Sequence, residues 1–236
     1  FSTGNELVQS GQPLAAGQIH DSNRPTLLAL ARNRGFEAID LGWLPDDPAI
    51  LTKALASSID QVDVLLTTGG AAGGDADLLW HVLSQPMHHQ GMALPTEAHA
   101  WKLKLRPGRP LVIGRIGQTP VFGLPGNPVA ALLSFLFVID AALQKMAGIT
   151  APRPLPRIRA RAGTAIRKRP GRQELLRVAL CYHESDDLPV AMPAGSQSSA
   201  QLRSVAEADG IAVLPEDQGP VAEGDRLDVV PLHGLL

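Results

Sequence analysis

Val121-Phe122-Gly123-Leu124-Pro125-Gly126-Asn127-Pro128-Val129-Ala130-Ala131-Leu132-Leu133 joins an apolar strand to an apolar helix through a short polar elbow. Asn127 can cap the helix with its side-chain oxygen, Pro128 carries the φ of a first helical turn, and Gly126 leaves backbone N–H groups open to an anion. Alone, the stretch reads equally as an ordinary strand-to-helix turn. A second elbow changes that reading. Thr67-Thr68-Gly69-Gly70-Ala71-Ala72-Gly73-Gly74-Asp75-Ala76-Asp77 follows the apolar run Val62 to Leu66 and opens a helix near Leu78. Two glycine-rich elbows in one α/β unit point to a shared site the size of a phosphate.

Working outward, apolar runs alternate with helical patterns as far as residue 150. Helices are expected from about Arg24 to Arg34, closed by Gly35, from Pro48 to Ser58, near Leu78 and after Pro128; Asn23 and Asp47 are candidate helix starts. Strands are expected around Phe36 to Leu41, at Val62 to Leu66, at Leu111 to Ile113 and at Val121–Phe122. This alternation predicts an α/β domain, a mostly parallel sheet with helices on both faces. Thr150 to Pro156 holds three prolines and no periodic pattern, so the linker is expected there, dividing the chain into 1–150 and 151–236. Beyond it, Arg157 to Ala162, Glu174 to Tyr182, Ile211 to Leu214 and Arg226 to Val230 alternate between Gly and Pro turns, the pattern of a small C-terminal β-barrel domain.

Composition narrows the function classes. The chain has 236 residues and a net charge of −2, which argues against a general nucleic-acid binder. No run reaches the roughly 20 apolar residues of a membrane span, and Leu132 to Ile139 reads as a buried helix. A single cysteine, Cys181, excludes an internal disulfide and a CxxC metal site, and fits a reducing cytoplasm. No signal peptide is visible. Phe1-Ser2-Thr3-Gly4-Asn5-Glu6 reads as the exit of a strand, so residues ahead of it are expected. No GxSxG, Walker lysine or Rossmann GxGxxG pattern occurs, and His88-His89 lacks a third ligand at zinc spacing.

Ligands of open α/β sheets gather at the carboxyl ends of the strands. The acidic and polar candidates there are Glu6, Asp21, Ser22, Asn23, Asp46, Asp47, Asp75 and Asp77. They face Lys102, Lys104, Arg106 and Arg109. Carboxylates beside anion cradles suit Mg²⁺ bridging to a phosphate, while capping is the alternative for Asp47 and Asp75. If Lys102 to Arg106 is one extended strand, Lys102, Lys104 and Arg106 share a face, either as a solvated edge or as an anion wall. From Arg153 to Arg177 there are nine basic residues and one acid, Glu174. Among these basic residues Arg172, in the turn Pro170-Gly171-Arg172, is best placed to grip a phosphate bidentately.

In order along the chain, Phe1 to Leu7, Gly17 to Asn23, Asp46-Asp47, Thr68-Gly69-Gly70 through Gly74 to Asp77, Arg106-Pro107-Gly108-Arg109-Pro110 and Gly123 to Pro128 resemble the signature of the molybdopterin molybdenumtransferases. These are the MoeA-type enzymes, among which the C-terminal domain of gephyrin is counted. The resemblance covers essentially the whole chain and lacks the family's two N-terminal domains. It implies insertion of molybdate into adenylylated molybdopterin with release of AMP, helped by Mg²⁺. It casts Glu6, Asp46 and Asp77 as catalytic acids, with Asp46, Asp75 and Asp77 as metal ligands. Ser22, Asn23, Gly69, Gly70, Lys102, Arg106, Arg109, Gly126, Asn127, Arg172 and Ser196 would bind substrate. It further implies a protein homodimeric at full length, while charge, apolar runs and the lone cysteine point to a cytoplasmic protein with no nucleic-acid or membrane partner. A non-catalytic molybdopterin-binding or scaffold module is the alternative. The sequence departs from the family pattern at Asn5, Ala71-Ala72-Gly73, Arg106 and Arg109, and in a longer stretch from Gln85 to Ala98.

Overall fold

The computed structural model describes residues 1–70, 78–183 and 187–235. In chain order the strands are β1 Ser2–Thr3, β2 Leu7–Val8, β3 Ile19–His20, β4 Trp43–Leu44, β5 Leu65–Thr68, β6 Met87–His89, β7 Met92–Leu94 and β8 Thr96–Lys102. They continue with β9 Leu105–Arg106, β10 Pro110–Ile116, β11 Thr119–Leu124, β12 Ile158–Ala162, β13 Gln173–Cys181, β14 Val190–Pro193, β15 Gly210–Leu214 and β16 Arg226–Pro231. The helices are α1 Asn23–Asn33, α2 Pro48–Ser58, α3 Leu78–Leu83, α4 Pro128–Ser134, α5 Asp140–Met146 and α6 Arg203–Ala206. A π-helical turn, Phe135–Ile139, lies between α4 and α5. The chain divides into two compact units, Phe1–Leu103 with Gly108–Ser134, and Lys104–Pro107 with Phe135–Leu236.

The first unit is built on a six-stranded sheet of order β4-β1-β5-β11-β10-β8. Its first four strands are parallel, and β10 and β8 add two antiparallel strands. The sheet is thus mixed, because the tight turn between β10 and β11 leaves no room for a crossover helix. Alternate residues of each strand face opposite sides. Leu65 and Val121 pack with Leu51 and Leu55 of α2 and with Leu79, Val82 and Leu83 of α3, the core of one face. Thr68, of the opposite parity, meets α1 through Asn23. Helices therefore cover both faces, as the βαβ alternation predicts.

Several boundaries differ from the sequence reading. The strand expected at Phe36 to Leu41 lies at Trp43–Leu44, after Gly42, while Asp40 is occupied with Arg24 and the Gly42 N–H. The strand expected at Val62 to Leu66 is Leu65–Thr68, because its register with β11 starts at Val121↔Leu65. Lys102 to Arg106 is not one strand. β8 ends at Lys102, and Leu105–Arg106 pairs with β13 in the second unit. The opaque stretch Gln85 to Ala98 holds the β6–β7 hairpin and the start of β8.

In the second unit β14-β12-β16-β15-β13 closes into a five-stranded barrel through the β13–β14 pairing, with β9 added to β13. Alanines 160, 162, 191 and 212 and the side chains of Val178, Leu214, Leu227 and Val229 fill its interior, the small and branched residues that a narrow barrel accommodates. The closing strand, Val190–Pro193, has no counterpart in the sequence reading: four residues are too few for alternation to show. Among the described residues one helical run, Pro128–Met146, is long and apolar enough to cross a membrane, and 61% of its most apolar window is buried within the protein. That matches the expectation of a buried helix at Leu132 to Ile139.

Candidate functional site

The two glycine elbows lie side by side. The parallel register carries β5 and β11 to the same end of the sheet, Thr68 beside Leu124. There the Asn23 side-chain amide donates to Thr68 Oγ1 and to the Gly126 carbonyl, both at 2.7 Å. Thr68 Oγ1 in turn donates to the Pro125 carbonyl at 3.1 Å. One amide and one hydroxyl thus tie the helix start, the first elbow and the second elbow together. A Cβ on Gly126 would sit 3.5 Å from the Gly69 Cα. Asn23 is therefore not a helix cap: it is the first residue of α1, and Ser22 holds the cap position without a side-chain bond. Ser22 instead accepts the Thr26 hydroxyl on its carbonyl at 2.8 Å.

Gly69 explains the first elbow. Its φ is +85°, and a Cβ there would lie 2.1 Å from the Thr3 carbonyl oxygen. Only glycine permits both the left-handed conformation and that approach. Thr3 Oγ1 and Asn23 Oδ1 are buried beside the elbows and have no hydrogen-bond partner among the described residues. Buried polar atoms without partners are uncommon, and these two mark where a polar ligand would complete the set. In the second elbow the Asn127 carbonyl accepts the Ala131 N–H at 2.9 Å, and Gly126 and Asn127 are exposed.

The acidic candidates separate into two kinds. Asp47 caps α2, accepting the N–H groups of Ala49 at 2.8 Å and Ile50 at 2.9 Å, and Asp21 accepts from Ser2 Oγ, from the Arg24 backbone and from Arg24 Nε. Both are structural. Arg24 continues to Asp40 at 2.6 Å. Burial pushes the Asp40 carboxyl upward, but the Arg24 guanidinium and the Gly42 N–H outweigh it, and its pKa lies below the ordinary value. Asp46 and Glu6 remain open to ligands. Asp46 is exposed, and it and Asn5 bond reciprocally, Asn5 N–H to Asp46 Oδ2 at 3.2 Å and Asp46 N–H to Asn5 Oδ1 at 3.1 Å. Glu6, also exposed, turns its carboxylate back over Gly4, where a Cβ would meet Oε2 at 2.7 Å. Trp43 pins this segment from the side: its indole N–H donates to the Gly4 carbonyl at 2.6 Å. Asp75 and Asp77 lie outside the described residues. Among the described residues no group of three metal-ligating side chains converges.

The basic candidates fall in both units. In the first, the registers Val112↔Gly123 and Pro110↔Lys102 bring exposed Lys102, and Arg109 next to Pro110, to the elbow end of the sheet. In the second, Leu105–Arg106 runs parallel to Gln173–Glu174, which sets Arg106 opposite Glu174. Arg106 approaches Glu174 at 3.6 Å, Lys104 pairs with Glu216, and the exposed Arg172 has no ion pair among the described residues. Ser196 is on a separate loop of the barrel. Its carbonyl accepts from Arg177 at 2.8 Å and its hydroxyl accepts the Ser198 N–H at 3.2 Å.

Arg177 escaped the sequence reading. It is fully buried, and burial lowers its pKa below the ordinary value. Nη2 holds the carbonyls of Ser196 and Ser198, while Nε and Nη1 have no partner among the described residues. Gln197 closes the same loop on the Arg177 backbone, its Oε1 accepting the N–H and its Nε2 donating to the C=O, both at 3.0 Å. The available signal was parity: Arg177 shares with Leu175 the buried face of β13 that lies opposite Val178 and the barrel interior.

A mixed sheet with two glycine elbows at the carboxyl end of its parallel strands in one unit, and a small closed barrel in the other, define an α/β-plus-barrel protein. Residues 1–145 match the family model described as a probable molybdopterin binding domain, and residues 159–232 match the MoeA C-terminal region, domain IV. The chain belongs to this MoeA-type family of molybdenum cofactor biosynthesis. It is 32% identical to a molybdopterin molybdenumtransferase of Haemophilus influenzae over 236 residues, 100% of this chain and 56% of that protein. It is 31% identical to one of Nostoc, over 98% of this chain and 52% of that protein, and 26% identical to gephyrin of Dictyostelium discoideum, over 98% and 35%. The structure of the molybdopterin biosynthesis MoeA protein of Pyrococcus horikoshii superposes with a TM-score of 0.75 at 29% identity, covering 98% of this chain and 52% of that one. The chain thus spans about half the length of the curated bacterial relatives it matches.

Proposed function

We infer that the elbow site binds adenylylated molybdopterin and that, within a protein of the relatives' length, it serves insertion of molybdate with release of AMP. The observation that carries this reading is the Asn23 clamp, which closes both glycine elbows into one cradle beside two unpartnered oxygens. The N–H groups of Gly69, Gly70 and Asn127 would take phosphate or pterin oxygens. Lys102 and Arg109 supply positive charge from the same end of the sheet; within the barrel unit, Arg106, Arg172 and Ser196 are candidate anion contacts of their own. Glu6, Asp46 and Asp77 orient water and the phosphoanhydride for cleavage.

Asp46 offers oxygen donors of the kind Mg²⁺ favours, and one or two carboxylates suffice when substrate phosphates complete the shell. Asp46, with Asp75 and Asp77, would hold the ion. When bound, it neutralises phosphate charge as the anhydride breaks. The protein is proposed to act as a homodimer in the cytoplasm, without nucleic-acid or membrane partners.

The test is AMP release from adenylylated molybdopterin with molybdate and Mg²⁺, using this chain extended to the length of its relatives. Asp46→Ala and Asp77→Ala are expected to abolish release with unchanged melting temperatures. Near-normal turnover of both variants would refute the catalytic assignment.

A further inference from the structure

Lys168 lies within a run of exposed arginines, Arg167 and Arg169 beside it and Arg172 four residues on, yet it is itself 4% exposed. Its ammonium faces four main-chain carbonyls: Arg172 at 3.0 Å and Arg169 at 3.4 Å on one turn, Gln218 at 3.0 Å and Glu216 at 3.5 Å on another. An ammonium has three donors and a full charge, so carbonyl dipoles from two directions can converge on it without a counter-carboxylate. The Gly171 N–H reinforces the junction by donating to the Glu216 carbonyl at 2.8 Å. Gly171 has φ +108°, so this turn is bent into a shape that the neighbouring segment must hold. Emerging from it, the Arg172 guanidinium is exposed and has no ion pair among the described residues, whereas Lys104 and Arg106 are both engaged by glutamates.

We propose that Lys168 is a positioning residue for anion capture: its buried ammonium rivets the 169–172 turn to the 215–218 turn and so fixes the backbone from which Arg172 reaches a phosphate group. This rests on the reading that Arg172 binds an anionic part of the substrate. A guanidinium on a fixed backbone loses less freedom on binding than one on a loose turn, so the gain appears as affinity.

AMP is the probe, titrated calorimetrically into the whole chain. Arg172→Ala is expected to weaken AMP binding by roughly 10-fold, the size of one charge-assisted contact. Lys168→Met should weaken it by about 3- to 10-fold, part of the same contact, and should add nothing in the Arg172→Ala background. If Lys168→Met fails to fold, Lys168→Gln, which replaces a charged group of three donors by a shorter neutral one of two and so loosens the junction, is read in its place against the same double variant, a loss of affinity again being expected. Full affinity in the Lys168 variant, or a loss that adds undiminished to that of Arg172→Ala, would overturn the positioning role while leaving Arg172 as an anion contact. Unchanged binding by Arg172→Ala itself would overturn both.

Discussion

Replacing Asn23 by Ala removes two hydrogen bonds of 2.7 Å with one cut, those to Thr68 Oγ1 and to the Gly126 carbonyl. Each is worth about 0.5–1.5 kcal/mol net. Gly126 is exposed, so water can satisfy its carbonyl, and Thr68 keeps its own donation to Pro125. The expected loss of folding stability is therefore about 1–2 kcal/mol, toward the lower part of the summed range. The same energy must then be supplied by the ligand to bring the elbows together, which lowers affinity by about 5- to 30-fold. Asn23→Asp should do worse, because a carboxylate donates to neither oxygen, repels the Gly126 carbonyl and competes with Pro125 for the Thr68 hydroxyl proton. The assay pairs urea denaturation with AMP titration of the same samples. An Asn23→Ala protein with stability within about 0.3 kcal/mol of the parent and unchanged affinity would refute the clamp, since that difference is below a single hydrogen bond.

Gly69→Ala should destabilise the first unit by about 2–4 kcal/mol, from left-handed strain plus collision with the Thr3 carbonyl, measurable in the same urea experiment. Asp47→Ala should cost about 0.5–2 kcal/mol as a lost cap and leave AMP affinity unchanged; a loss of affinity would return Asp47 to the ligand site. Acid should weaken the Asp21–Arg24–Asp40 network: the folded pKa of Asp40 lies below its unfolded value of 3.8, so its contribution is present above that value and is lost as pH falls through the folded pKa. Asp40→Asn should flatten that part of the stability profile. Limited proteolysis is expected to cut first within Thr150 to Pro156, an exposed proline-rich stretch.

The sequence carried much of this architecture because its signals were local. Pro48 after Asp47, the Gly126-Asn127-Pro128 elbow and the alternation in 158–162 and 173–181 each specify an element without reference to the rest of the chain. What escaped depended on pairing across the fold. Nothing local tells that Asn23, an apparent cap, turns away from its helix to join residues 45 and 103 positions downstream. Lys102 to Arg106 looks like one strand, because the break comes from β13, a distant partner for Leu105–Arg106. Lys168 and its exposed arginine neighbours are indistinguishable in composition; only the arrival of the Glu216 and Gln218 carbonyls separates them. Asp46 and Asp47 are adjacent and chemically identical, and helix geometry alone assigns one to the cap and leaves the other for a ligand.

The central claim is that the two glycine elbows form one anion cradle. Its most direct test is a ¹⁵N chemical-shift titration of the chain with AMP, following backbone amides one by one. The account predicts saturable shifts that are largest at Gly69, Gly70, Gly126 and Asn127, and that are reduced together by Asn23→Ala. Saturable shifts confined to other loops, or shifts at one elbow that leave the other unmoved, would contradict it.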